Sequence, residues 1–245
     1  MKYLGSKNRI SKYIVPIIQK AIDDNNINTF YDAFVGGANL IDKIHCENRI
    51  GNDIHKELIA MWKELQRGTK PPEHVSEELY KDVKQHKTLK YPAWLVGYVG
   101  FHATFGAKYF NGYARDRKTG RDMSNEAYKN TMKQLPNLLD VEFVCGDYRE
   151  VSLNDRSVIY CDIPYEGTTS YDTEPFIYDD FYIWCQDMAD RGHIIFVSSY
   201  YLPEDIFTEV WRKEVITNFS SQKIDYDDKK RIEKLYKYEN KRYKG

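Results

Sequence analysis

The sequence predicts an α/β domain that is built on a parallel sheet and interrupted by a helical insert. Apolar, β-branched and aromatic runs alternate with stretches of helical periodicity towards both ends of the chain. The order strand, glycine turn, helix, strand, helix in the first 70 residues is the beginning of a βαβ unit. Between residues 71 and 137 the β-period is absent, and the pattern is helical with loops. We therefore expect residues 1–70 and 138–245 to form one domain, with residues 71–137 as the insert.

The elements before the insert follow from apolar spacing and from the positions of glycine and proline. Residues 1–7 predict a loop, followed by a helix whose first turns contain Pro16. Residues 29–34 predict an aromatic-rich strand that is broken by Gly36 and Gly37, and a second helix is expected to begin near Asn39. Residues 49–53 predict a second strand, and the apolar positions between 58 and 65 recur on one side of a further helix.

The elements after the insert read as three buried strands, one helix and a terminal hairpin. The strands are predicted over residues 141–145, 158–162 and 193–198, with the helix over about 179–191. The hairpin is predicted over residues 210–219 and 231–238. A helix remains an alternative for the last segment, because Ile232, Leu235, Tyr236 and Glu239 also fit a 3–4 spacing.

Composition excludes several classes of protein. The chain has 245 residues, of which 42% are hydrophobic and 30% charged, so it can bury a core without disulfides. Its four cysteines are widely spaced without a C-x-x-C pair, which indicates reduced thiols and no metal site. No apolar run approaches the ~18 residues of a membrane span, and the first residues do not resemble a signal peptide. We expect a cytoplasmic protein of a prokaryotic cell or a phage-infected host.

Charge is unevenly distributed along the chain. The formal net charge is −1, yet residues 81–133 contain eleven Lys or Arg against four Asp or Glu, and residues 221–245 contain nine against five. Two basic segments on an acidic body are compatible with a polyanionic partner that one face binds. Lysines that merely solvate helices explain the same imbalance, and charge alone does not decide between these alternatives.

The most distinctive short motif runs from Cys161 to Tyr165, directly after a predicted strand. Ligands of parallel sheets bind beyond the carboxyl ends of the strands, so Asp162 is expected at the active edge. Pro164 fixes the backbone, and Tyr165 offers a flat face to a base. An acceptor carboxylate, a carbonyl and a stacking ring suit a planar amine with two N–H donors. A turn that ends a buried strand is the alternative.

Three further features point to the same edge. The turn at Gly36 and Gly37 follows a strand but matches neither G-x-G-x-x-G nor a phosphate loop, which favours a ligand without phosphates such as S-adenosylmethionine. Asp53, at the end of the second strand, is placed either to accept from ribose hydroxyls or to cap the following helix. Asp147 also follows a predicted strand, so it adds another carboxylate there.

Three segments in this order resemble the signatures of the DNA adenine methylase family: residues 1–7, 32–38 and 162–165. The resemblance covers nearly the whole chain, and residues 144–149 and 161–171 look like those of the solitary phage-type members. It implies a Rossmann-like class I methyltransferase sheet that is seven-stranded and mostly parallel, with a C-terminal antiparallel hairpin and a small helical target-recognition insert. It also implies a site-specific enzyme that transfers methyl from S-adenosylmethionine to the 6-amino group of adenine in double-stranded DNA, as a monomer or a weak dimer.

The resemblance assigns roles to individual residues. The catalytic residues are expected to be Asp162, Pro164 and Tyr165. The cofactor is expected to contact Tyr3, Lys7, Asp32, Gly36, Asp53, Asp147 and Asp162. Basic residues of the insert are the candidates for DNA contacts: Lys108, Arg115, Arg117, Lys118 and Arg121.

The chain departs from the family pattern in two places. Ile163 stands where the family usually has Pro, although the backbone carbonyl expected to accept a hydrogen bond there is preserved. The segment 105–115 diverges from the family's recognition segment, so no recognition sequence is carried over. Two alternatives stay open: a methyltransferase of another planar amine (the cytosine 4-amino group, adenine in RNA or a protein glutamine), and a DNA-binding protein without catalytic activity.

Overall fold

Seven strands pair into one sheet in the computed structural model, which describes residues 1–116, 119–164, 176–216 and 230–239. In chain order the strands are β1 (Thr29–Asp32), β2 (Asn48–Asp53), β3 (Val141–Cys145), β4 (Ser157–Asp162), β5 (Ile194–Ser199), β6 (Phe207–Ile216) and β7 (Lys230–Tyr238). Their order across the sheet is β3-β2-β1-β4-β5-β7-β6. The first five are parallel, whereas β7 pairs antiparallel with both β5 and β6. The predicted Rossmann-like fold is confirmed, and the last segment is a strand rather than a helix.

The strand order reverses direction between β1 and β4. From β1 the chain continues outwards through β2 to β3, and from β4 it continues outwards to β5 on the other side. Such a reversal leaves a crevice beyond the carboxyl ends of the two central strands, where ligands of open α/β sheets bind. Asp32 ends β1 and Asp162 ends β4, so the two carboxylates lie on either side of this crevice.

The described residues contain six α-helices. They are α1 (Ser11–Asp24), α2 (Lys56–Gln66), α3 (Glu77–His86), α4 (Ala93–His102), α5 (Met123–Gln134) and α6 (Tyr178–Asp190). Pro16 lies inside α1, and α3 to α5 lie within the predicted insert. None of these helices combines the length and the apolarity that crossing a bilayer requires.

The helix expected near Asn39 is wrong. After the glycine turn the chain forms only a single 3₁₀ turn, Ile41–Lys43. Ala38 has a φ of +53°, and the Asn39 side chain donates to the carbonyl of Met1 at 3.0 Å. A regular helix cannot begin here, because Ala38 has a left-handed backbone conformation and the side chain of Asn39 is hydrogen-bonded to a distant backbone group.

The two faces of the sheet bury separate cores, and alternation along the central strands decides which side chain enters which core. In β4, Val158 and Tyr160 belong to the core that α1, α2 and α4 cover, whereas Ile159 and Cys161 belong to the core under α6. Because strand side chains alternate with a period of two, Asp162 shares the face of Tyr160. By the same argument Asp32 shares the face of Phe30, which is the same side.

The insert packs directly on the sheet domain. Helix α4 is apolar all round and buried from Val96 to His102, as expected of a helix enclosed on every side. At its crossing with α2, a Cβ added to Gly97 would lie 2.0 Å from the carbonyl oxygen of Glu57. The backbones of α2 and α4 therefore meet closely, while the boundaries 71 and 137 stay a prediction.

Candidate active site

A small cleft of about 30 Å³ lies at the carboxyl ends of β1 and β4, between these strands, the N-terminal loop and the glycine turn. Five of the residues predicted to contact a cofactor line it: Tyr3, Lys7, Asp32, Gly36 and Asp162. They come from three segments that are far apart in the chain. The topology of the sheet and the path of the N-terminal loop bring them together.

Lys7 and Asp162 form an ion pair inside this cleft. The Nζ atom of Lys7 lies 2.8 Å from Oδ1 of Asp162, and the two side chains are 7% and 22% exposed. Nζ also donates to the carbonyl of Gly5 at 3.1 Å. Burial raises the pKa of Asp162 to about 6, although the neighbouring Lys7 ammonium lowers it. Asp162 is therefore a carboxylate with reduced acidity that depends on Lys7 for its charge.

Asp32 is buried with an unsatisfied acceptor. Its side chain is 2% exposed, and within the described part of the chain no group donates to its Oδ1 atom. Burial raises the pKa of Asp32 well above its ordinary value, the nearby Asp162 carboxylate adds to this, and a backbone hydrogen bond from Phe34 opposes it. An unpaired buried acceptor costs about 1–3 kcal/mol of stability. A ligand that donates a hydrogen bond to Oδ1 of Asp32 would remove this cost.

The glycine turn is held by hydrogen bonds on both sides of its backbone. Gly36, with a φ of +47°, donates its N–H to Oδ2 of Asp53 at 3.0 Å, and its carbonyl accepts from Nε1 of Trp62 at 3.0 Å. A Cβ at Gly36 would lie 2.7 Å from Cε1 of Tyr3. A side chain at position 36 would collide with the Tyr3 ring, and the positive φ also favours glycine there.

Asp53 does not line the cleft but supports the turn that does. Its Oδ1 accepts from the backbone N–H of His55 at 2.9 Å, and its Oδ2 from Gly36. The N-cap of α2 is His55, whose side chain accepts from Leu58, so the alternative that Asp53 caps this helix is wrong. Contact between Asp53 and a ribose stays a prediction.

Asp147 lies at a separate cavity at the end of β3, together with Cys145 and Glu150. Its two carboxylate oxygens accept from Nε and Nη2 of Arg149 at 2.9 and 2.8 Å. The guanidinium holds the pKa of Asp147 below its ordinary value. Arg149 was not anticipated, and no pattern in the sequence distinguished it from other surface arginines.

Two residues of the motif follow β4 within the described chain. Ile163 is buried at 2% exposure, and Pro164 is exposed, with its carbonyl accepting from the Tyr178 hydroxyl at 2.8 Å. Tyr165 lies outside the described residues. Tyr160, which the sequence did not single out, also lines the cleft, and its hydroxyl shares a 2.7 Å hydrogen bond with Ser198. Its position two residues before Asp162 was the signal that could have revealed it.

The described residues among the predicted DNA contacts lie in different environments. Arg121 donates to both carboxylate oxygens of Glu126 at 2.7 Å, and Arg115 pairs in the same way with Glu77, with Nε–Oε2 at 2.8 Å. Lys108 is half-buried. Arg117 and Lys118 lie outside the described residues. The two arginines would have to exchange a carboxylate for a phosphate in order to contact DNA.

The strand order and the cleft at its switch point define a Rossmann-like α/β fold. Residues 3–95 match the family model of the D12 class N6 adenine-specific DNA methyltransferases. The resemblance predicted from the motifs is confirmed by this match, which includes the N-terminal loop and the glycine turn.

Two curated relatives carry names that agree with this family. The chain is 25% identical over 195 residues to the modification methylase StsI of Streptococcus sanguinis, and 24% identical over 194 residues to the type II methyltransferase M.FokI of Planomicrobium okeanokoites. Each match includes 69% of this chain but only 29% of the relative's length.

A solved structure of the rRNA methyltransferase aviRa from Streptomyces viridochromogenes overlaps 98% of this chain and 87% of its own, with a TM-score of 0.43 and 11% identity. A likeness at this level carries nothing about the substrate.

Proposed function

We propose that this chain is an S-adenosylmethionine-dependent methyltransferase that methylates the 6-amino group of adenine in double-stranded DNA. The observation that carries the proposal is the cleft in which the Lys7–Asp162 pair and the unsatisfied Asp32 carboxylate lie together. The match to the D12 class family and the names of the two relatives support adenine in DNA as the acceptor.

The chemistry of the cleft suits S-adenosylmethionine. Oδ1 of Asp32 is a buried acceptor without a partner, which an ammonium group can satisfy, and Lys7 supplies a cation beside which a carboxylate can bind. The positive φ of Gly36 lets the turn follow the cleft wall without a side chain. When bound, S-adenosylmethionine supplies an electrophilic methyl group, and the residues described next prepare the acceptor.

Asp162 is the group that prepares the amine. The lone pair of the adenine 6-amino nitrogen is delocalised into the ring, so this nitrogen is a weak nucleophile. In the proposal Asp162 accepts one N–H and the carbonyl of Ile163 or a neighbour accepts the other, which frees the lone pair from the ring. Hydrogen bonds that strengthen as positive charge develops on nitrogen lower the barrier selectively in the transition state.

Lys7 favours the ionised form of Asp162, which can accept a hydrogen bond from the amine. A protonated Asp162 would lose part of its acceptor capacity, and its pKa of about 6 lies close enough to neutrality for this to matter. The Lys7 ammonium, 2.8 Å away, favours the ionised form. Lys7 thus acts through Asp162 in addition to its predicted contact with the cofactor.

The adenine has to leave the duplex before Asp162 can reach it. Unstacking and unpairing cost a few kcal/mol, which stacking of the extruded base on an aromatic ring partly offsets. Tyr165 is the proposed stacking residue on the strength of its motif position. The basic residues of the insert are proposed to contact phosphates and base edges, and the insert is proposed to determine the recognition sequence.

Labelling with tritiated S-adenosylmethionine tests the proposal. Wild-type protein and Asp162→Ala are incubated with unmethylated duplex DNA, RNA and protein acceptors in separate reactions. We expect label in DNA with wild type only. Long-read sequencing of DNA from expressing cells then gives the methylated base and its site. Label in RNA, in protein or on cytosine would replace the proposed substrate, and absence of label in every acceptor would favour a DNA-binding protein without catalysis.

A further inference from the structure

The last turn of α5 contacts the glycine turn from behind the cleft. Gln134 ends this helix, and its side chain is buried. Its Nε2 donates to the carbonyl of Gly37 at 3.1 Å and to the carbonyl of Ala38 at 2.8 Å. Gly37 lines the cleft, whereas Gln134 lies behind it. A helix of the predicted insert therefore supports the wall of the cleft through this one amide.

The same amide also holds the N-terminal loop. The nitrogen of Met1 donates to Oε1 of Gln134 and, at 3.2 Å, to Oδ1 of Asn39. Asn39 lines the cleft directly after the turn, and its Nδ2 donates to the carbonyl of Met1 at 3.0 Å. Gln134 thus joins the two segments that carry Tyr3, Lys7 and Gly36.

We propose that Gln134 is a positioning residue for S-adenosylmethionine, which keeps the glycine turn and the N-terminal loop in the shape that binds the cofactor. The proposal rests on the proposed function. Gln134 acts through the backbone of Gly37 and Ala38, without touching the cofactor. The insert would then complete the cofactor site in addition to its proposed contacts with DNA.

The backbone of the turn has a conformation that needs support. Gly36 and Ala38, on either side of Gly37, both have a positive φ, and residues with a side chain rarely adopt it. Such a conformation persists only where the surrounding contacts impose it. Ala38 is fully buried, and its carbonyl accepts from Gln134 at 2.8 Å and from the Asp42 N–H at 3.4 Å. Without Gln134 this carbonyl keeps only the longer contact, and a buried acceptor that loses its partner favours a rearranged turn.

Helix α5 holds the amide in place before any ligand binds. Ala127, Thr131 and Gln134 are spaced four and three residues apart and form one buried face of the helix. Oγ1 of Thr131 shares a 2.7 Å hydrogen bond with Nε2 of His102, which fixes α5 to the buried helix α4. A support that is ordered in advance costs less conformational entropy at binding.

Gln66 provides a matched control. Its Nε2 also donates to two backbone carbonyls, those of Leu138 at 2.6 Å and Val141 at 2.7 Å. Val141 begins β3, so this amide lies at the amino end of the strands, at the opposite edge of the sheet from the cleft. Gln66→Met removes the same pair of hydrogen bonds without a contact to the glycine turn.

Calorimetry without DNA measures the Kd of S-adenosylmethionine for wild type, Gln134→Met and Gln66→Met. Affinity falls by the factor by which the binding-competent turn becomes less populated. We expect Gln134→Met to raise Kd about 5- to 100-fold, the range that loss of a buried hydrogen-bond partner gives, and Gln66→Met to bind as wild type does. In ligand-free protein, hydrogen exchange of the Ala38 N–H, which donates to Val35 at 2.7 Å, should be faster in Gln134→Met only.

A second substitution separates the two contacts of the amide. Gln134→Glu keeps an acceptor for the Met1 nitrogen, but its carboxylate cannot donate to the carbonyls of Gly37 and Ala38. We expect it to weaken cofactor binding as Gln134→Met does. In methyl transfer both variants should raise KM for S-adenosylmethionine, with kcat at saturating cofactor and KM for DNA close to wild type. Normal cofactor binding by Gln134→Glu would assign the role to the Met1 contact and overturn the proposal.

The other outcomes separate positioning from stability and from the proposed function. If wild type binds S-adenosylmethionine and Gln134→Met binds it equally tightly, the positioning role is wrong while the proposed function stands. The role is also wrong if Gln66→Met weakens binding as much as Gln134→Met, or if Gln134→Met lowers kcat with KM for the cofactor unchanged. If wild type binds no S-adenosylmethionine, the proposed function fails first and the positioning role fails with it.

A measurement on wild type keeps the test independent of whether the variants fold. The side-chain amide protons of Gln134 should exchange more slowly, by nuclear magnetic resonance, when S-adenosylmethionine is added, because the bound cofactor favours the turn that accepts from them. The side-chain amide of Gln66 serves as the internal reference and should not respond. Exchange at Gln134 that is unchanged by the cofactor would contradict the proposal.

Discussion

The dependence of Asp162 on Lys7 makes a specific prediction about pH. Asp162 has a pKa of about 6, so the carboxylate is roughly 90% ionised at pH 7, half ionised at pH 6 and roughly 10% ionised at pH 5. If only the ionised carboxylate accepts the hydrogen bond from the amine productively, kcat/KM for DNA falls below pH 6 and approaches a tenfold loss per pH unit. Lys7 lowers the pKa of Asp162 from a distance of 2.8 Å, so its removal moves this acidic limb to higher pH.

The perturbation is Lys7→Met, which keeps the length and the apolar stem of the side chain but removes the charge. We expect the variant to be impaired at pH 7 and to recover part of its activity at pH 8 to 9, where Asp162 ionises without help. Each unit by which the limb moves corresponds to 1.36 kcal/mol of lost preference for the carboxylate. Lys7→Arg retains the cation and should keep the limb near its wild-type position.

The assay is a pH profile of tritium transfer to DNA at saturating S-adenosylmethionine, with KM for the cofactor measured at each pH. Saturation separates the effect on Asp162 from any contact between Lys7 and the cofactor. An acidic limb of Lys7→Met that coincides with wild type, together with a raised KM for S-adenosylmethionine, would refute the proposed action on Asp162 and leave Lys7 as a cofactor residue alone.

Substitutions at three further positions probe the cleft, its motif and the packing of α4 on α2. Asp32→Asn should weaken binding of S-adenosylmethionine roughly 10- to 100-fold by calorimetry, because a charge-assisted hydrogen bond is lost. The same change should raise the melting temperature at pH 7, since the raised pKa means that the ionised carboxyl opposes folding there; unchanged binding would contradict the assigned role. Tyr165→Phe should be mild and Tyr165→Ala severe in methyl transfer, because the ring face is the part of this side chain that is proposed to stack on the base; equal effects would assign the function to the hydroxyl instead. Gly97→Ala should lower the free energy of unfolding by about 1–3 kcal/mol in a denaturant titration, because its Cβ would lie 2.0 Å from the Glu57 carbonyl oxygen. An unchanged unfolding midpoint would show that α2 and α4 do not meet as closely as described.

Much of the fold could be predicted because strand and turn signals are local. The run Val158 to Cys161 is continuously apolar, as buried parallel strands are, so both β4 and the position of Asp162 at its end were correct. The helix expected near Asn39 failed for a reason that no local pattern contains. The side chain of Asn39 is tied to the Met1 carbonyl, 38 residues away in the chain.

The site itself was only partly visible in the sequence. Period-two alternation places Asp32 and Asp162 on one face, but their meeting with Lys7 depends on how the N-terminal loop crosses the end of the sheet. The cofactor contacts of Asp53 and Asp147 stay predictions. Asp53 accepts hydrogen bonds from the backbone of Gly36 and His55, and Asp147 accepts from Arg149. Both carboxylates therefore stabilise local structure in the described chain, in addition to any contact with a ligand.

The most direct measurement identifies the product base and its dependence on Asp162. DNA treated with wild-type protein or with Asp162→Asn, which has nearly the same shape but no charge, is digested to nucleosides and analysed by mass spectrometry. We predict N6-methyladenine with wild type and a loss of at least about 100-fold with the variant, the size typical of removing one preorganised transition-state contact. N6-methyladenine at undiminished levels with Asp162→Asn, or methylation of a different base by wild type, would contradict the central claim.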